Sequence, residues 1–374
     1  MLRRIWSLTV KEFIHLRNDW WLPVFMLIGG TIELLMVGWA TSRPITNLPL
    51  MVLDHDRSAA SRAFVIELEN TDTFMFEAQA PDFQTIERAL ERGDISAAVI
   101  IPSDYSEELA SSIGHPVISV LLNGAESIPA IAALRAVDGL ARDFGERITV
   151  RRLGLDPEEF EGFIPSLRVW FNESLSEALY TTPAELALML EFTVLLFAGL
   201  SFSRERELGT LEQLLVMPFS SLEIIIGKSI PVILISLFDF VLMLTLMHFA
   251  FDVPVRGSVI LLLLFAFGYL LVELGKGLVI SVISRTQHQA FLLILLVAMV
   301  DFMFTGYAAP VESMPQILQY FANLVPAHHW LAIMRGILLK ASGFNELWPH
   351  LLALALLGLV IGTVSLRFVR QALD

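Results

Sequence analysis

The sequence predicts a polytopic α-helical membrane protein. It has six transmembrane helices, a large α/β extracytoplasmic domain between the first two, and both termini in the cytoplasm. Three observations carry this reading. The 374 residues are 55% hydrophobic, mean hydropathy is +0.66, and the apolar residues gather in bilayer-length runs with few charges. The acidity is localised: residues 42–180 hold 11 arginines, no lysine and 23 acidic side chains, a net −12 of the chain's −14. Basic residues flank the apolar runs on alternate sides, which orients them by the positive-inside rule.

Residues 1–19 read as a cytoplasmic amphipathic helix, with Arg3, Arg4, Lys11 and Arg17 set among Ile5, Leu8, Phe13 and Leu16. Trp20 and Trp21 mark the interface, and residues 20–41 form the first span, with Trp39 near its far end. That run is too long for a cleaved signal peptide, and no small-x-small cleavage site follows it. Residues 42–180 form the external domain. Strand-like 48–53, 73–76, 96–101 and 117–122 alternate with helical 57–69, 83–92 and 105–112, and a long helix over 128–153 returns toward the membrane. Such alternation gives a small α/β domain with a mixed sheet.

Further spans are expected at 183–203, 222–251, 258–283, 289–308 and 347–368, with a cytoplasmic tail at 369–374. In this topology Arg204, Arg206, Arg285, Arg367 and Arg370 all fall inside, and the acidic block falls outside. Residues 309–346 resist the pattern. The apolar stretch 317–339 is broken at Val325-Pro326-Ala327-His328-His329, and counting it as a span would turn the basic tail outward. It is expected to form re-entrant or outer-leaflet helices, which membranes tolerate where broken backbone is buried in protein or lines a cavity.

Several functions are excluded. With no cysteine there is no disulfide and no thiolate metal site. An acidic chain lacks the basic surface that nucleic acid requires. Gly227-Lys228-Ser229 is not a phosphate loop, because Leu222 stands where the motif's first glycine belongs. His328 and His329, adjacent on a helix, would point about 100° apart, poorly placed to chelate one ion. No catalytic group, bound cofactor or metal is therefore expected of this chain, and it is not read as an enzyme.

Carboxylates inside spans are costly and often functional. Here they are Glu33, Glu191, Asp239, Glu273 and Asp301. Glu273 and Lys276 lie one turn apart and are expected to pair. Interhelical structure, a substrate cavity and a proton relay remain open for the group. Glu33, Asp239 and Asp301, with no opposite charge nearby in sequence, point most to a cavity or relay. Glu33, Glu191, Asp239, Asp301, His328 and His329 are the candidate pathway residues.

The segment 204–218 stands between two spans and is expected to be a short amphipathic helix at the membrane surface. Leu208, Leu211 and Leu215 make its apolar stripe and Pro218 stops it. A solvated connector is the plainer alternative. The run Arg204-Glu205-Arg206-Glu207-x-Gly209-Thr210-x-Glu212-x-Leu214-Leu215-x-x-Pro218, followed by Glu223 and Gly227-Lys228, resembles the signature of type-2 ABC exporter permeases, the ABC-2 family. Asp54-x-Asp56-x-Ser58-x-x-Ser61-Arg62, Gly93-Asp94-Ile95 running to Ile101-Pro102, Glu312-Ser313-Met314-Pro315, and Pro326 through Arg335-Gly336 also fit. The likeness spans essentially the whole chain and looks strongest to the family's bacterial drug-export members. Residues 327–329 depart from the usual polar or aromatic pattern.

The resemblance implies a permease of the bacterial inner membrane. It would pair with a second permease, a copy or a paralogue, and with a cytoplasmic ABC ATPase that binds ATP and magnesium. Arg204, Glu205, Arg206, Glu207, Gly209, Thr210 and Glu212 would couple to that ATPase, together with the N-terminal helix. The spans around Glu191 and Asp301 would line the dimer cavity. The external domain would form the exit or meet a periplasmic adaptor, and membrane lipids would surround the spans. The expected function is outward transport of an amphipathic or hydrophobic, drug-like or lipid-like substrate. An ion-coupled antiporter using the intramembrane carboxylates, or a non-transporting scaffold, is the alternative.

Overall fold

A computed structural model describes residues 1–111, 113–153, 168–173 and 175–373, and these form two compact units, residues 1–43 with 168–374, and residues 44–167. The inserted unit holds strands β1 (Leu48–Asp54), β2 (Phe74–Gln79), β3 (Ala97–Ile101) and β4 (Ser119–Leu122) in the order β2-β1-β3-β4. β1 pairs in parallel with β2 and β3, and β4 is antiparallel to β3. The two central strands are almost continuously apolar because both their faces are covered. On one face Leu50, Val52, Val99 and Ile101 meet Phe64 and Leu68 of α3 (Ala59–Glu69) and Ala133 and Leu140 of α6 (Ser127–Leu153). On the other, Leu53 and Ala98 meet Ile86 and Ala89 of α4 (Phe83–Arg92).

Local signals set the edges. α3 starts two residues later than its pattern suggests, because Arg57 takes φ 54° and Ser58 caps the helix by accepting from the amides of Ala60 and Ser61. α5 (Tyr105–Ala110) ends before Ser111, and Ser112 lies outside the described residues. The described residues 168–173 group with the helical unit. Residues 154–167, within the expected domain, are outside the described set.

The helical unit begins with α1 (Leu2–Asn18) and α2 (Trp21–Thr41) and continues through α7 (Ala178–Glu207), α8 (Leu211–Val216), α9 (Ser221–Phe251), α10 (Val259–Ile283), α11 (Gln287–Phe304), α12 (Gln316–Ala322), α13 (Pro326–Lys340) and α14 (Phe344–Leu373). Six of them, α2, α7, α9, α10, α11 and α14, are long and apolar enough to cross a membrane. α7 is the axis, packed against α2, α9, α10, α11 and α13. Small residues allow its close approach to α10 and α11. A Cβ on Gly277 would sit 2.6 Å from the Cβ of Ala198, and one on Gly199 would sit 2.7 Å from Ile294. The broken stretch near the end is two helices, α12 and α13, and α13 is buried along most of its length.

α7 extends past the expected span end at Ser203 and carries Arg204–Glu207 as its last turn. The single surface helix expected over 204–218 is therefore two pieces with a turn between them. Gly209 adopts φ 72°, its amide returns to the Arg206 carbonyl at 3.2 Å, and the Thr210 amide reaches the Glu205 carbonyl at 2.9 Å. This is the left-handed glycine termination of an α-helix. As a result Leu208 is 62% exposed and leaves the expected apolar stripe, while Leu214 turns inward at 2%.

Candidate functional site

The charges closing α7 are held within the chain. Glu205, 3% exposed, receives Lys11 of α1 at 2.7 Å and Lys228 of α9 at 3.1 Å. Lys228 also meets Glu12 of α1 at 2.8 Å, so two ammonium groups face two carboxylates where three helices join. Arg204 pairs with Asp19. Arg206 donates to the carbonyls of Val282 at 2.8 Å and Ser284 at 2.5 Å, and Glu207 accepts from the amide of Gln287 at 2.9 Å. α1 is pinned to the following turn as well, since Arg4 donates to the Pro218 carbonyl at 2.7 Å. Gly227 lets α1 approach α9: a Cβ there would meet Leu8 at 2.6 Å.

Of the residues singled out for ATPase coupling, Arg204, Glu205, Arg206 and Glu207 thus secure the platform. Gly209 and Thr210 shape the turn above it. Glu212 alone of them is an exposed charge with neither an ion pair nor a side-chain hydrogen bond among the described residues. Beside it Val216 is 87% and Met217 48% exposed. The outcome is a buried ionic base carrying a short apolar and acidic tip.

Deeper along α7 lies a second cluster. Lys276 of α10 reaches Glu191 of α7 at 3.2 Å, Glu273 one turn away at 2.6 Å, and Asp301 of α11 at 2.5 Å. The Tyr269 hydroxyl donates to Glu191 at 3.4 Å, and its ring stacks on Trp330 with centroids 5.2 Å apart. Oxygens of Glu191, Glu273 and Asp301 lie within 4.8 Å of one another, a set able to hold a cation, and the Lys276 ammonium meets all three carboxylates. Asp301 has no opposite charge nearby in sequence; its counter-charge lies 25 positions away and is brought to it by the turn between α10 and α11.

The other pathway candidates are dispersed. Asp239 of α9 accepts from Thr193 at 2.9 Å. His329 contacts His350 of α14 at 3.1 Å and the Asn323 carbonyl at 2.9 Å, whereas His328 turns toward the Thr305 carbonyl at 3.4 Å. Those rings knit α13 to its neighbours. Glu33 is exposed on the wall of a cleft of about 880 Å³ between α2, α7 and α11.

Sequence reasoning missed Lys228 and Lys276 as hubs, and missed Glu185, which accepts from Tyr307 at 2.7 Å. A signal for the two hubs was present. They are the chain's lysines within apolar helices, and a buried ammonium demands carboxylate partners.

Residues 20–367 match the ABC-2 family transporter proteins. The chain belongs to the ABC-2 family. It is 27% identical over 362 residues, 96% of its length and 97% of the relative's, to the Escherichia coli protein named probable multidrug ABC transporter permease YbhR. It is 25% identical, over 100% of its length and 98% of the relative's, to the inner membrane transport permease YhhJ of the same organism. A Dictyostelium discoideum ABC transporter G family member 23 is 22% identical over 92% of this chain, which spans 49% of that relative. As an ABC-2 member the chain is a multi-pass membrane transport protein, and the two ionic clusters lie on its axial helix.

Proposed function

We propose that this ABC-2 chain is the membrane-spanning subunit of an exporter driven by a separate ABC ATPase. It works in the bacterial inner membrane, paired with a second permease, and moves an amphipathic or hydrophobic substrate outward. ATP and magnesium reside on the ATPase, both termini and the turn at 208–217 face the cytoplasm, and the unit 44–167 lies outside, where it forms the exit or meets an adaptor. The observation that supports this most is the exposed tip of Leu208, Glu212, Val216 and Met217 on a base of buried ion pairs. A lever must be stiff to pass on work. A platform tying α1, α7 and α9 together transmits a push at the tip into the spans, where a solvated connector would flex.

The test is reconstitution with the ATPase. The double variant Glu212→Arg with Val216→Asp alters only exposed positions. It should insert and purify normally yet lose about tenfold of ATPase-coupled export, the scale of losing central interface contacts. Undiminished export would overturn the assignment.

A further inference from the structure

The cleft between α2, α7 and α11 carries an imbalance of charge. Its wall is aromatic and thioether-rich, from Trp21, Phe25, Phe192, Phe291, Met26 and Met189, and its volume of about 880 Å³ suits a drug-sized molecule. Apart from Glu33, the charged lining residues are Asp19 and Arg204, which neutralise each other as an ion pair, and His288 also lines the cleft. Glu33 is different. At the ~1.5 Å rise per residue of a helix it lies about 18 Å along α2 from Trp21, inside a helix long and apolar enough to span a bilayer. It is exposed on the cleft wall and has no ion pair among the described residues. A bare carboxylate at that depth is expensive, and a bound counter-charge removes the cost.

We infer that this cleft binds lipophilic organic monocations, with Glu33 as the counter-ion and the aromatic and methionine side chains holding the apolar body. The inference rests on the export reading, for it names the substrate class. Aromatic faces attract cations as well as apolar surface, so the wall and the carboxylate select the same ligand. A neutral molecule of equal size would fill the wall and leave Glu33 unpaired. An anion would be repelled.

Binding of radiolabelled tetraphenylphosphonium to the full-length permease, purified without any ATPase, tests this, with neutral triphenylphosphine oxide as competitor. The cation should bind saturably and the oxide compete poorly. Glu33→Gln, nearly isosteric at an exposed position, should weaken the cation about tenfold or more, and Glu33→Asp should restore most of it. Absence of saturable binding, equal competition by the oxide, or unchanged affinity in Glu33→Gln would each overturn the inference. So would a Glu33→Gln effect on dimer mass alone, which would make the cleft a contact between copies. Because no ATPase is present, failure here leaves the export reading to its own coupling test.

Discussion

Of the three carboxylates that α7 buries, Glu185, Glu191 and Glu205, the last two are each met by a lysine from a neighbouring helix, yet their neighbourhoods are built differently. Around Glu205 the charges balance: Lys11 and Lys228 face Glu205 and Glu12. Around Glu191 they do not, since Lys276 alone faces Glu191, Glu273 and Asp301. A balanced cluster spread over two lysines loses one contact at a time. The cluster centred on Lys276 holds α7, α10 and α11 through one ammonium and fails with it. The first suits a platform that takes load. The second suits a clamp that sets how three spans lie together.

Replacing Lys276 with Met should therefore be the most damaging single change, leaving three carboxylates without a cation. Breaking a buried charge network by removing one partner costs about 3–5 kcal/mol. The measure is the monodisperse fraction after heating in detergent, and a variant as stable as the parent would dissolve the contrast. Adding Glu191→Gln and Asp301→Asn to Lys276→Met should recover much of the loss.

Lys228→Met should cost less, about 1–3 kcal/mol, because Glu205 keeps Lys11 at 2.7 Å and the Glu12 side chain, 15% exposed, retains some contact with solvent. The same heating assay orders the two variants. A loss equal to that of Lys276→Met would show that sharing charge between two lysines gives no protection.

How much of this could be read from the residues depends on distance along the chain. The six apolar helices were legible because bilayer length is written in each run, and so was the Glu273–Lys276 pair, one helical turn apart. Glu191 and Asp301 meet the same lysine from 85 and 25 positions away, which only packing decides. The break at Gly209 was open to reading, since glycine after a charged last turn is a common helix stop. The leucine spacing at 208, 211 and 215 drew attention across it. Lys228 sits in a Gly-Lys-Ser run that mimics part of a phosphate loop, and its place in an apolar helix is the better clue to its role. The cleft beside Glu33 needs three helices side by side, and no local pattern announces it.

The inserted unit supplies a baseline with exposed charges, where the effect should be smallest. Arg147 of α6 grips Glu67 of α3 through two bonds, at 3.0 and 2.6 Å, with its guanidinium over the Phe144 ring at 4.6 Å. The Arg147 hydrogen bond holds the Glu67 carboxyl below the ordinary glutamate range. A carboxyl depressed in the folded state stabilises above its unfolded value, and that contribution is lost as pH falls through the folded value. Glu67→Gln should cost ~0.2–1 kcal/mol at neutral pH, since half-exposed pairs are screened by solvent. Hydrogen-exchange protection of α3 and α6 in the full-length chain should differ between variant and parent at pH 7, and converge once acid has protonated Glu67. A difference that persists in acid would mean that the residue acts through packing. A cost approaching that of Lys276→Met would mean that burial is not what separates these clusters.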